Sequence, residues 1–330
     1  MKTKPIIFVH GLGGRPEDYD TYGVRPYIQK NGDFDPELLR LFHYGDRLVD
    51  GKPQYNYQGD IRQIASRFAQ QFAYSIERLS ADSVAKGGSE KVSIVSYSMG
   101  GIISRYYLSC AQPDEHGTVF THKVDKLIQI GSPNKGVDVI GIYNQVLRGS
   151  FLWRIVLWLS DHNILPFKLG QDVRRANRQL RNLGMQTITS IGEGGTYNQP
   201  IDPESPGAQQ LTPGSDFLRE LNQPARTPQD VRYFCLYGDV IVRLSFNLLG
   251  IKWKQEFHFG DFAMLADNAT DIPGAQPTTK GFEYVYEWAL GDPIRDQTLE
   301  AETIALPPYT HITLNDKPEV QEQLLRWLES

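Results

Sequence analysis

The chain has 330 residues, a formal net charge of −5 and 40% apolar side chains, enough for one large α/β domain or two ordinary ones with a sizeable core. An acidic balance without a basic stripe argues against a nucleic-acid partner. Two cysteines, Cys110 and Cys235, are too few for a disulfide framework, and no stretch is apolar enough to span a bilayer.

The N-terminus, MKTKPIIFVHGLGG, sets lysines before an apolar run, but IIFV is too short for a signal-peptide core. The chain as written therefore reads as cytoplasmic, or as secreted if a leader has been removed. KPIIFVHG predicts a buried strand ending at glycine, and ELLRLFHY (37–44) a second. After Gly59, apolar residues at Ile61, Ile64, Ala65, Phe68, Phe72, Ile76 and Leu79 follow helical spacing and predict a long amphipathic helix. KVSIVSY (91–97) predicts a strand, MGGIISRYYLSCAQ the next helix, and KVDKLIQIGSP (123–133) a strand ending in a Gly-Ser-Pro turn. VRYFCLYG (231–238) reads as a late strand, KQEFHF as a short one, and KPEVQEQLLRWLES as a terminal helix with Pro318 in its first turn.

Alternation of strand and helix predicts a mostly parallel central sheet covered by helices on both faces. The rhythm breaks between Lys135 and Gln229. That segment opens with the apolar VLRGSFLWRIVLWLSDHNILPFKLG and passes into a Pro- and Gly-rich run. It is expected to form a helical cap over residues 138–229, lying over the carboxyl ends of the strands, with 1–137 and 230–330 as the core domain.

The strand-to-helix turn in VSYSMGG offers Ser98 as a nucleophile, flanked by the small residues Ser96 and Gly100; the plainer reading is a serine capping the helix. A serine needs a base for its proton and donors for the developing oxyanion. HGLGG supplies close backbone approach, so the amides of Leu12 and Met99 are the expected oxyanion donors; the order of its glycines does not match a dinucleotide or phosphate loop. His10 reads as a structural hydrogen-bonder. His311, in a loop just before the last helix, is the expected base. His43, His116, His122, His162 and His258 read as surface or packing residues. The acid that fixes the imidazole tautomer is left between Asp239, directly after a core strand, and Asp261; Asp267 and Asp271 are weaker candidates.

With these residues in hand, the chain resembles the bacterial lipase and esterase branch of the α/β-hydrolase family. It is similar also to lecithin-cholesterol acyltransferase and GPI-inositol-deacylase-like proteins. The resemblance runs through PIIFVHGLGG, VSIVSYSMGGIISRYYL, VDKLIQIGSPNKGVDV, AQQLTPGSDFLRELN, GDFAMLADNAT and THITLNDKPEVQEQLLRWL. It implies the α/β-hydrolase fold, and it favours Asp261, because GDFAMLADNA is similar to the stretch that carries the family's acid. Phe262 and Asn268 depart from that stretch and keep Asp239 open. The family further implies a mobile lid over an acyl pocket, here Val146, Leu147, Phe151, Trp153, Ile155 and Trp158; the bland reading is a buried cap helix.

The expected function is hydrolysis of carboxylic esters, foremost lipid acyl esters, through Ser98, His311 and Asp261, with no cofactor and no metal. Expected partners are the ester substrate and, transiently, a lipid interface met through the lid. Rival readings are a small-ester carboxylesterase, an acyltransferase, a phospholipid or GPI deacylase, and a binding protein that keeps the fold without turnover.

Overall fold

The computed structural model describes residues 1–12, 14–15, 17–42, 47–49, 52–54, 59–109, 123–137, 151–192, 202–248, 251–291 and 307–330. In chain order the elements are β1 (Ile6–Val9), α1 (Asp18–Thr21), α2 (Val24–Gly32), β2 (Leu39–Phe42), β3 (Arg47–Val49), β4 (Lys52–Gln54), α3 (Ile61–Ala85), β5 (Val92–Tyr97), α4 (Met99–Ser109) and β6 (Val124–Ile130). Then come α5 (Phe151–Asp161), α6 (Phe167–Gly192), α7 (Pro206–Gln210), α8 (Asp216–Leu221), β7 (Arg232–Leu248), β8 (Ile251–His258), α9 (Ala266–Thr270), β9 (Thr278–Leu290) and α10 (Pro318–Glu329).

The central sheet runs β2-β1-β5-β6-β7, all parallel, with β9 parallel to the outer side of β7 and β8 antiparallel to it. β1 lies inside the sheet between β2 and β5, so the chain leaves it toward β2 and then crosses to β5. The strand order thus reverses between β1 and β5, and such a reversal opens a crevice at the carboxyl edge. This is the expected mostly parallel sheet with helices on both faces.

Side-chain alternation divides the core into two layers. Ile6 and Phe8 face a cluster with Val24 and Ile28 of α2 and Val320 and Leu324 of α10. Ile7 and Val9 face α3 and α4 through Ile61, Ile64, Ile102 and Ile103. Both faces of the sheet are therefore dry, which suits near-continuous apolar strands. Lys126 of β6 is fully buried and donates to the Trp327 carbonyl at 2.7 Å, so a buried amine caps the C-terminal end of α10, while burial and the neighbouring Lys4 lower its pKa to about 7.

The late strand is far longer than the expected 231–238. Arg232–Leu236 pair with β6, and from Ile241 the same side of β7 pairs with β8. β9 follows β7 from Phe234 to Phe246 on its other side. The second half of β7 therefore leaves the sheet at its carboxyl edge and, with β8 and β9, makes a three-stranded arm. One face of the arm packs Val240, Val242, Leu244, Phe257 and Trp288 against Trp153, Val173 and Leu180 of α5 and α6. On the other face, Arg243 bridges Glu256 and Glu287 across the strands, at 2.5 Å each, a cross-strand charge pairing.

Packing draws the cap differently from the expected 138–229. Leu211, Phe217, Leu218 and Leu221, around α7 and α8, lie in the same apolar cluster as Ile7 and Val9. Gln210 ties α7 to the start of α3, accepting the Ile61 amide at 2.6 Å and donating to Asp60 at 3.0 Å. The apolar cluster outside the core joins α5 and α6 to the arm, which sequence alone assigned to the core domain. A strand that outruns its sheet has no local signature, because period-two patterning is the same on either side of the edge. Among the described residues, no helix is long and apolar enough to cross a membrane.

Candidate active site

Ser98 stands between β5 and α4 with φ of 53°, a left-handed conformation that costs a non-glycine residue on the order of 1 kcal/mol or more. The turn is crowded at three glycines. A Cβ on Gly100 would overlap the carbonyls of Val9 and His10, and one on Gly101 would overlap Ser132. A Cβ on Gly11 would come within 2.8 Å of the Ser98 Cβ. Ser96 replaces the first glycine of the usual elbow at no polar cost: it is fully buried, and its hydroxyl donates to the Ile128 carbonyl at 3.1 Å.

His311 Nε2 lies 2.9 Å from Ser98 Oγ, and His311 Nδ1 lies 2.8 Å from Asp261 Oδ2. Asp261 is 1% exposed, and its other oxygen accepts the amides of Ala263 and Met264 at 2.9 Å each. The carboxylate is thus held from one side with a lone pair left for the imidazole. The His311 amide also donates to the Asp261 carbonyl at 2.8 Å, which closes the two loops on each other. With a carboxylate at Nδ1, the proton is fixed there and Nε2 is left to accept from Ser98.

Two further residues adapt to this pair. Phe262, where the resembled stretch has glycine, has φ of 68°, so it takes the conformation that glycine would supply. Burial of its ring, stacked 5.5 Å from Phe259 and within the cap cluster, offsets the strain. Gly131, the first residue of the Gly-Ser-Pro turn, has φ of 54°, and a Cβ there would lie 3.2 Å from Asp261 Oδ2 and 3.3 Å from His311 Nδ1.

Asp239 is placed elsewhere. Its Oδ2 meets His258 Nδ1 at 2.7 Å and its Oδ1 accepts the Gly260 amide at 3.0 Å. Asp271 pairs with Lys135 at 2.6 Å, and Asp267 is exposed in the first turn of α9. Met99 opens α4, where first-turn amides have no carbonyl partner inside the helix. Leu12 follows Gly11, which packs on Ser98. His10 is buried, with Nδ1 2.9 Å from the Gly11 carbonyl. His162 lies against Trp158 with ring centroids 4.4 Å apart and planes tilted by 34°, whereas His43, His116 and His122 lie outside the described residues.

Of the residues expected to form the lid, Val146 and Leu147 lie outside the described residues, and for Phe151 only the backbone is described. Trp153 is buried edge-on against Phe257 of the arm, while Ile155 and Trp158 face outward. Among the described residues, no group of three or more His, Cys, Asp or Glu could hold a metal ion.

Two contributors escaped the sequence reading. Tyr97 stacks on His311, with centroids 5.2 Å apart at 26°, and donates its hydroxyl to the His311 carbonyl. Burial, reinforced by Asp261, keeps this phenol well above its ordinary pKa, so it stays a donor. Arg105 of α4 donates to Asn134 and Asn222 at 3.0 Å each. Burial lowers its pKa to about 10, which leaves it a cation at neutral pH. Asn134 passes the network on to Gln129 at 3.0 Å and to the Ala269 carbonyl at 2.6 Å. The stretches GSPNKG and LRELN, prominent in the sequence, therefore meet at one buried guanidinium. The signal was an arginine on the apolar face of a predicted helix, which burial turns into a hub for neutral acceptors.

Residues 1–145 match the family described as Putative serine esterase (DUF676). Among curated proteins, none matches the chain. Solved structures with some likeness include phospholipase PlaB from Legionella pneumophila, at 12% identity over 100% of this chain and 63% of that one, with a TM-score of 0.40. A thermostable carboxyl esterase from Bacillus coagulans shows 13% identity over 100% and 90%, with a TM-score of 0.48. Bacillus licheniformis lipase BlEst2 in its propeptide form shows 18% over 98% and 50%, with a TM-score of 0.45. The chain thus spans less than two thirds of the length of the Legionella phospholipase.

Proposed function

We propose that this chain hydrolyses carboxylic esters, foremost acyl esters of lipids, with Ser98 as nucleophile, His311 as base and Asp261 as the acid that orients it. The observation that carries the reading is the continuous hydrogen-bonded line from Asp261 through His311 to Ser98 at the carboxyl edge of the sheet. In this reading Ser98 Oγ attacks the ester carbonyl as His311 Nε2 takes its proton. The amides of Leu12 and Met99 receive the developing oxyanion. His311 then gives the proton to the departing alcohol, leaving an acyl group on Ser98, and a water activated by the same imidazole releases the acid.

The lipid part of the reading is supported by the apolar surroundings of the acid loop. Phe259 and Phe262 flank Asp261 and belong to the same cluster as Trp153 and Leu180, so the cap reaches the catalytic edge through apolar side chains. The test is stoichiometric labelling of Ser98 by a phosphonate together with turnover of an ester chain-length series. Labelling with a preference for long acyl chains is expected. Labelling with a short-chain optimum would make the protein a small-ester carboxylesterase, and absence of labelling would mark a fold kept without turnover.

A further inference from the structure

Six large apolar side chains are prominently exposed among the described residues, and four of them, Ile155, Trp158, Ile164 and Phe167, fall within thirteen positions at the tip of the α5–α6 hairpin. Trp158 is 54%, Ile164 57% and Phe167 78% exposed. Apolar side chains scattered singly over a surface need no explanation, but a contiguous group signals a partner.

The tip is rigid. Asn163 holds φ of 55°; its amide donates to the Ser160 carbonyl at 3.1 Å, and the Ile164 amide to the Leu159 carbonyl at 2.9 Å. That pair of bonds is a Schellman cap, with the left-handed residue at the turn. Ser160 Oγ donates to the Gly170 carbonyl at 2.9 Å, and Arg174 donates to the Ser160 carbonyl at 2.7 Å, which locks the turn to the second helix. The opposite face of the hairpin is fastened to the arm by Trp153, Val173 and Leu180. The apolar tip is therefore already outside in this conformation and needs no opening to be displayed.

Charge selects the partner. Residues 151–192 carry six Lys and Arg against two Asp, a surplus of four positive charges in a chain whose total is −5; Arg154, Lys168 and the exposed Asp161 are the ones nearest the tip and the other four cations lie along α6. Arg154 is exposed one helical turn from Trp158, and Lys168 follows Phe167 directly. Aromatic and aliphatic side chains beside cations suit the headgroup boundary of an anionic bilayer.

We infer that the α5–α6 tip is a fixed foot that docks the protein on anionic lipid surfaces, independently of catalysis. The inference deepens the lipid-ester reading by naming the surface on which substrate is met. Docking is measured by co-sedimentation of the Ser98→Ala protein, which leaves the lipid intact, with phosphatidylcholine vesicles with and without phosphatidylserine. Binding to the phosphatidylserine vesicles is expected, weakening with salt and on phosphatidylcholine alone. The double variant Ile164→Ser/Phe167→Ser should bind at least about tenfold more weakly, and Lys168→Glu at least about fivefold. In the otherwise native chain the double variant should hydrolyse a soluble short-chain ester at the parent rate. Equal binding by parent and double variant, equal binding to the two vesicle types, or no binding by the parent would overturn the inference. A parent dimer that the double variant converts to monomer would assign the tip to a second copy and also overturn it. Undiminished hydrolysis by Ser98→Ala would instead overturn Ser98 as the nucleophile and leave the docking result standing.

Discussion

Asp239 accepts the amide of Gly260 at 3.0 Å, one residue before Asp261. The two aspartates that compete for the same role in the sequence are thus neighbours with different partners. Asp261 faces His311, while Asp239 holds His258 and the backbone leading into the acid loop. Asp261→Asn should lower kcat/KM by about 10⁴-fold, since an amide at that position selects the wrong imidazole tautomer. Asp239→Asn should lower it by only about tenfold, the scale of one weakened supporting hydrogen bond. Steady-state kinetics on a soluble ester separate the two, and a larger loss in the Asp239 variant would reverse the assignment.

The left-handed backbone at Ser98 makes a stability prediction that is independent of chemistry. Ser98→Gly and Ser98→Ala should both reduce ester hydrolysis by about 10⁶-fold. Glycine alone also relieves the strained φ, so Ser98→Gly should unfold with about 1 kcal/mol more stability than Ser98→Ala. Urea denaturation of the pair measures the difference.

Tyr97 both stacks on His311 and donates to its carbonyl. Tyr97→Phe keeps the ring and removes the hydroxyl, leaving a buried carbonyl short of a donor at a cost of about 1–2 kcal/mol. The expected result is a kcat lowered about tenfold, at the same scale of energy, with KM nearly unchanged. Tyr97→Leu should fall further because the ring contact goes too. An unchanged kcat in both variants would remove Tyr97 from the positioning of the base.

Arg105 satisfies two amide oxygens on separate segments, Asn134 and Asn222. Arg105→Lys keeps the charge but cannot reach both with one fork, and it should destabilise the protein by about 2–3 kcal/mol. Chemical denaturation with the denaturant slope held constant tests this. A change within about 0.5 kcal/mol would show that the network is dispensable.

Much of the fold was legible because its signals are local. KPIIFVHG, KVSIVSY and KVDKLIQI are apolar runs bounded by turn residues, and each is a parallel strand in the structure. The crowding around Ser98 was legible for the same reason: small residues on either side of one serine report a turn in which no larger side chain fits, and Ser96 satisfies that demand with its hydroxyl on Ile128.

The sequence by itself determined the alternation of strand and helix, the position of Ser98 at a strand end, and the place of His311 in the loop before the last helix. Only the tertiary structure decided the rest. Asp239 and Asp261 both follow strands and both carry carboxylates; what separates them is that Asp261 is folded back by the Ala263 and Met264 amides until one oxygen meets His311. The length of β7, the transfer of α7 and α8 to the core, and the outward face of Trp158 were likewise set by which surfaces met in space. Backbone conformation and patterning are properties of a few consecutive residues, whereas a hydrogen bond across 50 or 213 positions depends on every element packed between them.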